Sequence, residues 1–309
     1  MSGRLVVALG GNALLRRGER PEAEAQRQNV LAAASALAAV ATEHELVVTH
    51  GNGPQVGLLA VEADAYKAVA PYPLDVLGAE SQGMIGYLLA QAIRNATPGS
   101  DVVTILTQVV VSARDPAFEN PSKPIGPVYS EREARETAQE HDWAFAPDGN
   151  YFRRVVPSPE PKRIVELAAI ERLLAGGSIV VCAGGGGIPV VVHGDELHGV
   201  EAVIDKDSTA ALLAETIGAE RLVLATDVPA VLDRWGTRAE RRITTATPRD
   251  LRRMTFVRGS MAPKIEAACR FVERTGGTCA IGALSDVGRL VDGSGGTQVR
   301  PDWARLATA

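Results

Sequence analysis

Residues 4–12 read RLVVALGGN and residues 45–54 read ELVVTHGNGP. Each is a continuous apolar run that empties into a glycine-rich turn, and a run without polar alternation is what a strand covered on both faces requires. Between them, residues 22–41 are rich in Ala and Glu at helical spacing, so the unit reads as strand, crossover helix, parallel strand. The theme repeats. Helices are expected near 55–68 and 76–95, then a long β-branched strand at 102–111 (VVTILTQVVV). A helix at 162–175, strands at 178–183 and 189–193, and a helix at 207–217 follow, then strands at 221–226 and 278–283 flanking a helix at 262–275. The pattern predicts an α/β fold, a three-layer α/β/α sandwich around a central, mostly parallel sheet. It breaks at about 113–157, where SARDPAFENPSKPIGPVY carries four prolines ahead of a short polar helix near 130–141. That stretch is too long for an ordinary connection and predicts a small protruding subdomain.

The chain has 309 residues, 46% hydrophobic and 22% charged, enough to bury a large core. Its 32 basic residues against 37 acidic leave a formal net charge of −5, which argues against a nucleic-acid partner. Three cysteines (Cys182, Cys269 and Cys279) lack CxxC spacing, so they read as small buried hydrophobes in a reducing compartment. The opening MSGRLVVALGG shows no leader pattern, and no apolar run reaches the roughly 18 residues that span a bilayer, so a cytoplasmic location without membrane contact is expected. Of the 32 basic residues only five are Lys: Lys67, Lys123, Lys162, Lys206 and Lys264. A chain that otherwise uses Arg keeps Lys where a compact point charge is needed, as on a phosphate. Lys67 and Lys162 read as ordinary surface charges.

In an open parallel sheet, ligands sit beyond the carboxyl ends of the strands. Three glycine turns follow separate strands: Gly10-Gly11-Asn12, Gly51-Asn52-Gly53 and Gly184–Gly187. Glycine lets backbone amides converge on anionic oxygens, although a single such turn is often only structural. No lysine follows a glycine, so a Walker A sequence is absent; GxGxxG spacing fails, and there is no HRD or DFG set. The sharpest cluster is Asp205-Lys206-Asp207 at the start of a helix. A lysine there can be held by Asp205 and aimed at a transferring phosphoryl group, or the carboxylates can serve only as N-caps. The residues by themselves reach an anion-binding α/β enzyme.

VVALGGNALL (6–15), QRQNV (26–30), VVTHGNGPQVG (47–57), PSKPIGPVY (121–129), RRVVPSPEP (153–161), AGGGGIPVV (183–191), EAVIDKDSTAALLA (201–214) and GSMAPKIEAA (259–268) together resemble the carbamate kinases of the amino-acid kinase family. The resemblance runs in order from about residue 4 to residue 300. It implies the amino-acid kinase fold and reversible phosphoryl transfer between ATP and carbamate, giving ADP and carbamoyl phosphate, often run toward ATP in arginine or related fermentation. It implies that Gly10, Gly11 and Asn12 contact phosphates and that Gly51, Asn52 and Gly53 form the carbamate side. Lys123 would reach over the site from the subdomain, Lys206 would stabilise the transferring group and Asp205 would orient the lysines. Lys264, Ala225, Thr226, Asp227 and Val228, with Gly184 and Gly185, would serve the nucleotide.

Two departures stand out. Many family members carry a lysine before the first glycine turn; here those positions are Val7 and Ala8, and the resemblance implies that Lys123 replaces that charge. Mg²⁺ is expected with ATP, held mainly by phosphates, with no dedicated metal ligand in the chain. His50 is expected to support its turn by a hydrogen bond, His193 and His198 do not make a strong metal pattern, and Arg153-Arg154 reads equally as an anion contact or a surface pair. The resemblance divides the chain into an acceptor lobe, 1–212, and a nucleotide lobe, 213–309. It also implies a homodimer, for which the apolar stripe Leu77, Met84, Leu88 and Leu89 is a candidate face unless the core absorbs it. Competing readings are another acid kinase of this fold, of acetylglutamate or isopentenyl phosphate type, or a non-catalytic nucleotide or carbamoyl phosphate sensor. The PSKPIGP block argues against the first and the set of lysines against the second.

Overall fold

The apolar runs 4–9, 45–50, 221–226 and 278–283 are strands to the residue. The computed structural model describes residues 3–11, 14–15, 19, 22–66, 68–141, 143–254, 256 and 261–302. Asn12 and Lys67 lie outside them. The main sheet has eight strands, in the order Thr245–Ala246, Thr297–Val299, Thr278–Ala283, Arg221–Thr226, Arg4–Leu9, Glu45–His50, Ile179–Val181 and Val102–Thr104. The pairs around Arg4–Leu9 are parallel, and Thr297–Val299 runs antiparallel to Thr278–Ala283.

Strand side chains alternate between faces, and here the alternation divides two cores. Leu5, Val7 and Leu9 pack with Leu37, Ile85, Leu89 and Leu290, from helices Ala23–Ala41, Leu74–Ala96 and Val287–Asp292. Val6 and Ala8 face Ile170, Leu174, Leu213 and Phe271, from helices Leu167–Ala175, Lys206–Thr216 and Met261–Thr275. Both faces of the sheet are therefore covered, as the unbroken apolar runs require. Truncating a fully buried member such as Leu37 to Ala costs about 2–5 kcal/mol.

The run 102–111 is not one strand. Val102–Thr104 stays in the main sheet, while Gln108–Val110 joins a separate sheet ordered Glu196–Gly199, Ile188–His193, Gln108–Val110, Arg163–Ile164. The break sits at Thr107. Its N–H donates to Gln82 Oε1 (2.9 Å), its carbonyl accepts from Gln82 Nε2 (3.2 Å), and its hydroxyl accepts from Ala183 N–H (2.9 Å). The helix expected at 162–175 likewise starts only at Leu167, its first residues being the strand Arg163–Ile164.

The insertion forms its own antiparallel sheet, Lys123–Tyr129, Tyr151–Val156 and Ala144–Asp148 in that order, with helix Glu131–His141 alongside. Tyr129 meets Phe145 edge-on at 5.2 Å, and the Arg154 guanidinium lies 3.7 Å over the Trp143 ring, while Arg153 pairs with Asp148 (3.1 Å). The candidate dimer stripe splits: Leu77 and Leu89 are core, whereas Met84 is 38% and neighbouring Tyr87 56% exposed. Among the described residues, no helix is long and apolar enough to cross a membrane.

Candidate active site

The first two glycine turns meet because their strands are neighbours. Gly10 N–H donates to Ala225 O and Gly51 N–H to Leu9 O, both at 3.0 Å. A Cβ placed on Gly51 would lie 3.0 Å from Gly11 N and 3.4 Å from Lys206 Cδ, so the two turns and this lysine converge. A Cβ on Gly53 meets nothing within 4 Å, and one on Gly11 meets only Pro54 at 3.8 Å. Protein packing does not demand glycine at either position, and a glycine backbone leaves room for an anion to approach its amides closely. Asn52 stands at the N-cap of helix Gly53–Ala65, yet its side chain makes no cap bond and donates to Ser81 Oγ instead (2.8 Å). The first-turn amides are thereby left for another acceptor.

Helix Lys206–Thr216 begins where its N-cap, Asp205, accepts from the N–H groups of Asp207 (3.0 Å) and Ser208 (3.1 Å) through Oδ1. Asp205 Oδ2 accepts from Lys123 Nζ at 2.6 Å, bringing the subdomain to the helix end. Burial alone would raise the Asp205 carboxyl; the charge and hydrogen bond of Lys123, with Lys206 and the Ser208 amide, hold it well below the usual carboxylate range.

Asp207, not Asp205, joins the other two lysines. Its Oδ1 accepts from Lys206 Nζ and its Oδ2 from Lys264 Nζ (3.1 Å), across packed helices Lys206–Thr216 and Met261–Thr275. All three residues are buried, Lys206 at 9%, Lys264 at 5% and Asp207 at 3% exposure. Burial pushes the Lys206 ammonium down, with Asp207 opposing the shift and Lys264 adding to it. Two ammonium groups fixed on one carboxylate near converging backbone amides concentrate positive charge of the kind that can stabilise a polyanion whose charge moves during reaction.

The sequence profile of the amino acid kinase family matches residues 3–282. The carbamate kinase of Rhizobium meliloti is 55% identical over 307 residues, covering 98% of this chain and 95% of that protein. The chain belongs to the carbamate kinases of the amino acid kinase family. Two solved structures of carbamate kinase from Giardia lamblia, one bound to citric acid and one to AMP-PNP, superpose with TM-scores of 0.92 and 0.89. Each is 37% identical and covers 97% of this chain and 99% of its own.

Within this carbamate kinase frame, the structure brings Gly10, Gly11, Gly51, Asn52, Asp205, Lys206, Lys123 and Lys264 to one end of the sheet. Ala225, Thr226, Asp227 and Val228 follow at the end of the neighbouring strand, where Thr226 Oγ1 donates to Asp227 Oδ1 (3.1 Å). A Cβ on Gly184 would come 2.3 Å from His50 Nε2, and one on Gly185 2.2 Å from Asn52 Nδ2, so this turn packs against the Gly51–Gly53 turn. Gly185 (φ +65°) also needs the left-handed backbone that glycine tolerates. What sequence reasoning missed is that Asp207, noted only as a carboxylate flanking Lys206, bridges Lys206 and Lys264.

His50 is buried, with Nδ1 3.0 Å from Gly51 O, which fixes its proton on Nδ1. Burial pushes its pKa down to about 4, the Gly51 bond opposing and Lys206 assisting. His193 and His198 stack at 5.3 Å on a surface hairpin, and Lys162 pairs with Glu160 at the surface. The three cysteines are buried, burial pushing the Cys182 and Cys269 thiols up to about 12 and the Cys279 thiol well above its ordinary value, so none is a nucleophile at neutral pH.

Proposed function

We infer that this chain moves a phosphoryl group reversibly between carbamoyl phosphate and ADP, giving carbamate and ATP. The observation that carries this reading is the pair of buried ammonium groups, Lys206 and Lys264, held on Asp207 where the glycine turns converge. The high identity to a carbamate kinase over nearly the whole chain supports the acceptor, and AMP-PNP, an ATP analogue, in the Giardia relative supports the nucleotide. Carbamate is already an anion and needs no general base. The work reduces to holding two anionic reactants in line while the bond from carbamate oxygen to phosphorus breaks and one from the ADP β-phosphate oxygen forms.

In this reading Lys206 neutralises the moving phosphoryl group and Lys264 the nucleotide phosphates, with Asp207 fixing both. Lys123, set by Asp205, covers the carbamate end. Gly10, Gly11 and Asn12 contact phosphate, and Gly51, Asn52 and Gly53 present amides to carbamate, backed by Gly184 and Gly185. Ala225, Thr226, Asp227 and Val228 line the nucleotide. Residues 1–212 thus serve mainly the acceptor and 213–309 the nucleotide. Among the described residues no group of three or more His, Cys, Asp or Glu could cage a metal, and both oxygens of Asp205 and of Asp207 are engaged. Mg²⁺ bound with the nucleotide would be held mainly by the phosphates and water and would neutralise charge on the phosphate oxygens. A cytoplasmic homodimer feeding on carbamoyl phosphate from arginine or related fermentation completes the proposal; the exposed Met84 and Tyr87 support a second copy.

The test is ATP formation from ADP and carbamoyl phosphate with magnesium, with acetylglutamyl phosphate as the control donor. Wild type should respond to carbamoyl phosphate alone, and Lys206→Ala should lose about 100- to 1000-fold in kcat. Absence of ATP from either donor, or an unaltered kcat in Lys206→Ala, would overturn the assignment.

A further inference from the structure

Lys123 reaches Asp205 only if the subdomain sits at the right height over the sheet, and at the closest point of the contact that sets this height two glycine backbones meet. Strand Lys123–Tyr129 crosses helix Gly53–Ala65 at two glycines. A Cβ on Gly57 would fall 1.9 Å from Gly126 Cα, 2.1 Å from Gly126 N and 3.3 Å from the carbonyl carbon of Ile125. From the other side, a Cβ on Gly126 would stand 3.4 Å from Gly57 Cα, and Gly126 has φ +70°. The strand register shifts between Ile125 and Val128, so the backbone bulges at this crossing. Ile125 locks the crossing from below in a small core with Val56, Leu74, Leu77, Val156 and Val203.

The crossing lies between two functional ends. Gly57 is one helical turn beyond Gly53, so it belongs to the element that carries the Gly51–Gly53 turn. Gly126 is three residues from Lys123, on the strand that delivers the ammonium to Asp205 at 2.6 Å. Nothing about Gly57 as a helix residue calls for glycine, since Ala is the better helix former there. Contact with backbone at 1.9 Å cannot be relieved by turning a flexible side chain; the whole strand must move.

We propose that Gly57 and Gly126 form a backbone-to-backbone bearing that sets the height of Lys123 over the acceptor turn, making them positioning residues for the phosphoryl-transfer site. The inference rests on the carbamate kinase reading. A methyl group at position 57 lifts the subdomain strand and draws Lys123 away from Asp205. It leaves the Lys206–Asp207–Lys264 cluster, which lies on other elements, untouched.

The experiment compares Gly57→Ala with wild type and with Gly83→Ala, a helix glycine whose Cβ meets nothing within 4 Å. ATP formation from carbamoyl phosphate and ADP gives kcat and both KM values, and calorimetry gives ADP affinity. Gly57→Ala should lower kcat/KM for carbamoyl phosphate about 10- to 100-fold, with ADP affinity within about twofold of wild type and Gly83→Ala silent. In a double-mutant cycle, Lys123→Ala should cost far less in the Gly57→Ala background than in wild type. A Gly57→Ala enzyme with normal kcat/KM, an equal loss of ADP affinity, or additive effects with Lys123→Ala would each overturn the proposal. Inactive wild type would instead sink the functional reading itself.

Discussion

The site contains two carboxylate–lysine assemblies two residues apart in sequence, and they are built differently. Asp207, in the first turn of helix Lys206–Thr216, faces helix Met261–Thr275 and joins two lysines, with side-chain exposures of 10% for Lys206, 6% for Lys264 and 4% for Asp207. Asp205 sits at a helix cap and meets a lysine delivered by a separate small sheet, with exposures of 29% and 19%. The first is fixed by the packing of the main body and the second by how the subdomain docks. On the proposed reading the buried assembly supplies charge fixed before the reactants arrive and the subdomain covers a site that must let them in, and the burial difference is consistent with that division.

Breaking the buried assembly should have the larger effect. Asp207→Ala removes the carboxylate that both buried ammonium groups share, and leaving such charges uncompensated costs about 3–5 kcal/mol. Denaturant unfolding should show that loss alongside near-complete loss of ATP formation. Unchanged unfolding would mean that the two lysines are not held as described.

Breaking the docking assembly should separate activity from stability. Asp205→Asn keeps an oxygen for the Asp207 and Ser208 amides, and Asn is as good an N-cap as Asp, so the helix start survives. It removes the charge that faces Lys123. Because this pair is partly exposed, the stability cost should be about 1 kcal/mol or less, while kcat falls about tenfold. A large drop in thermal midpoint would erase the distinction between the two assemblies.

The contrast also explains what could be read in the sequence. Strands 4–9, 45–50, 221–226 and 278–283 were legible to the residue because strands buried on both faces are largely apolar runs, the first three emptying into glycine or Thr-Asp and the last preceded by Gly276-Gly277. The run 102–111 was not, because its two halves have the same composition and are parted by Gln82, a residue on a distant helix. Lys123, Lys206 and Lys264 stood out against the arginine background. Which carboxylate serves which lysine did not, since Asp207 faces Lys264 only through the packing of two helices 57 residues apart in sequence. The Gly57–Gly126 crossing was equally silent: a glycine needed for a non-local backbone contact looks like any other glycine.

His50 allows the finest test, because it sits where the acceptor turn meets the buried assembly and Lys206 is the charged group acting on it. Its folded pKa of about 4 lies below the ordinary 6.5, so between those values the unfolded chain binds a proton that the folded chain refuses. Stability from this residue is therefore complete above pH 6.5 and declines as pH falls toward 4, by about 1 kcal/mol between pH 7 and 5.5. His50→Asn keeps an N–H donor near Gly51 O and has no such titration. The wild-type thermal midpoint should fall faster than that of the variant over this range. Parallel slopes would mean that His50 takes up its proton in the folded state, next to Lys206, and that this edge of the buried assembly is open to water.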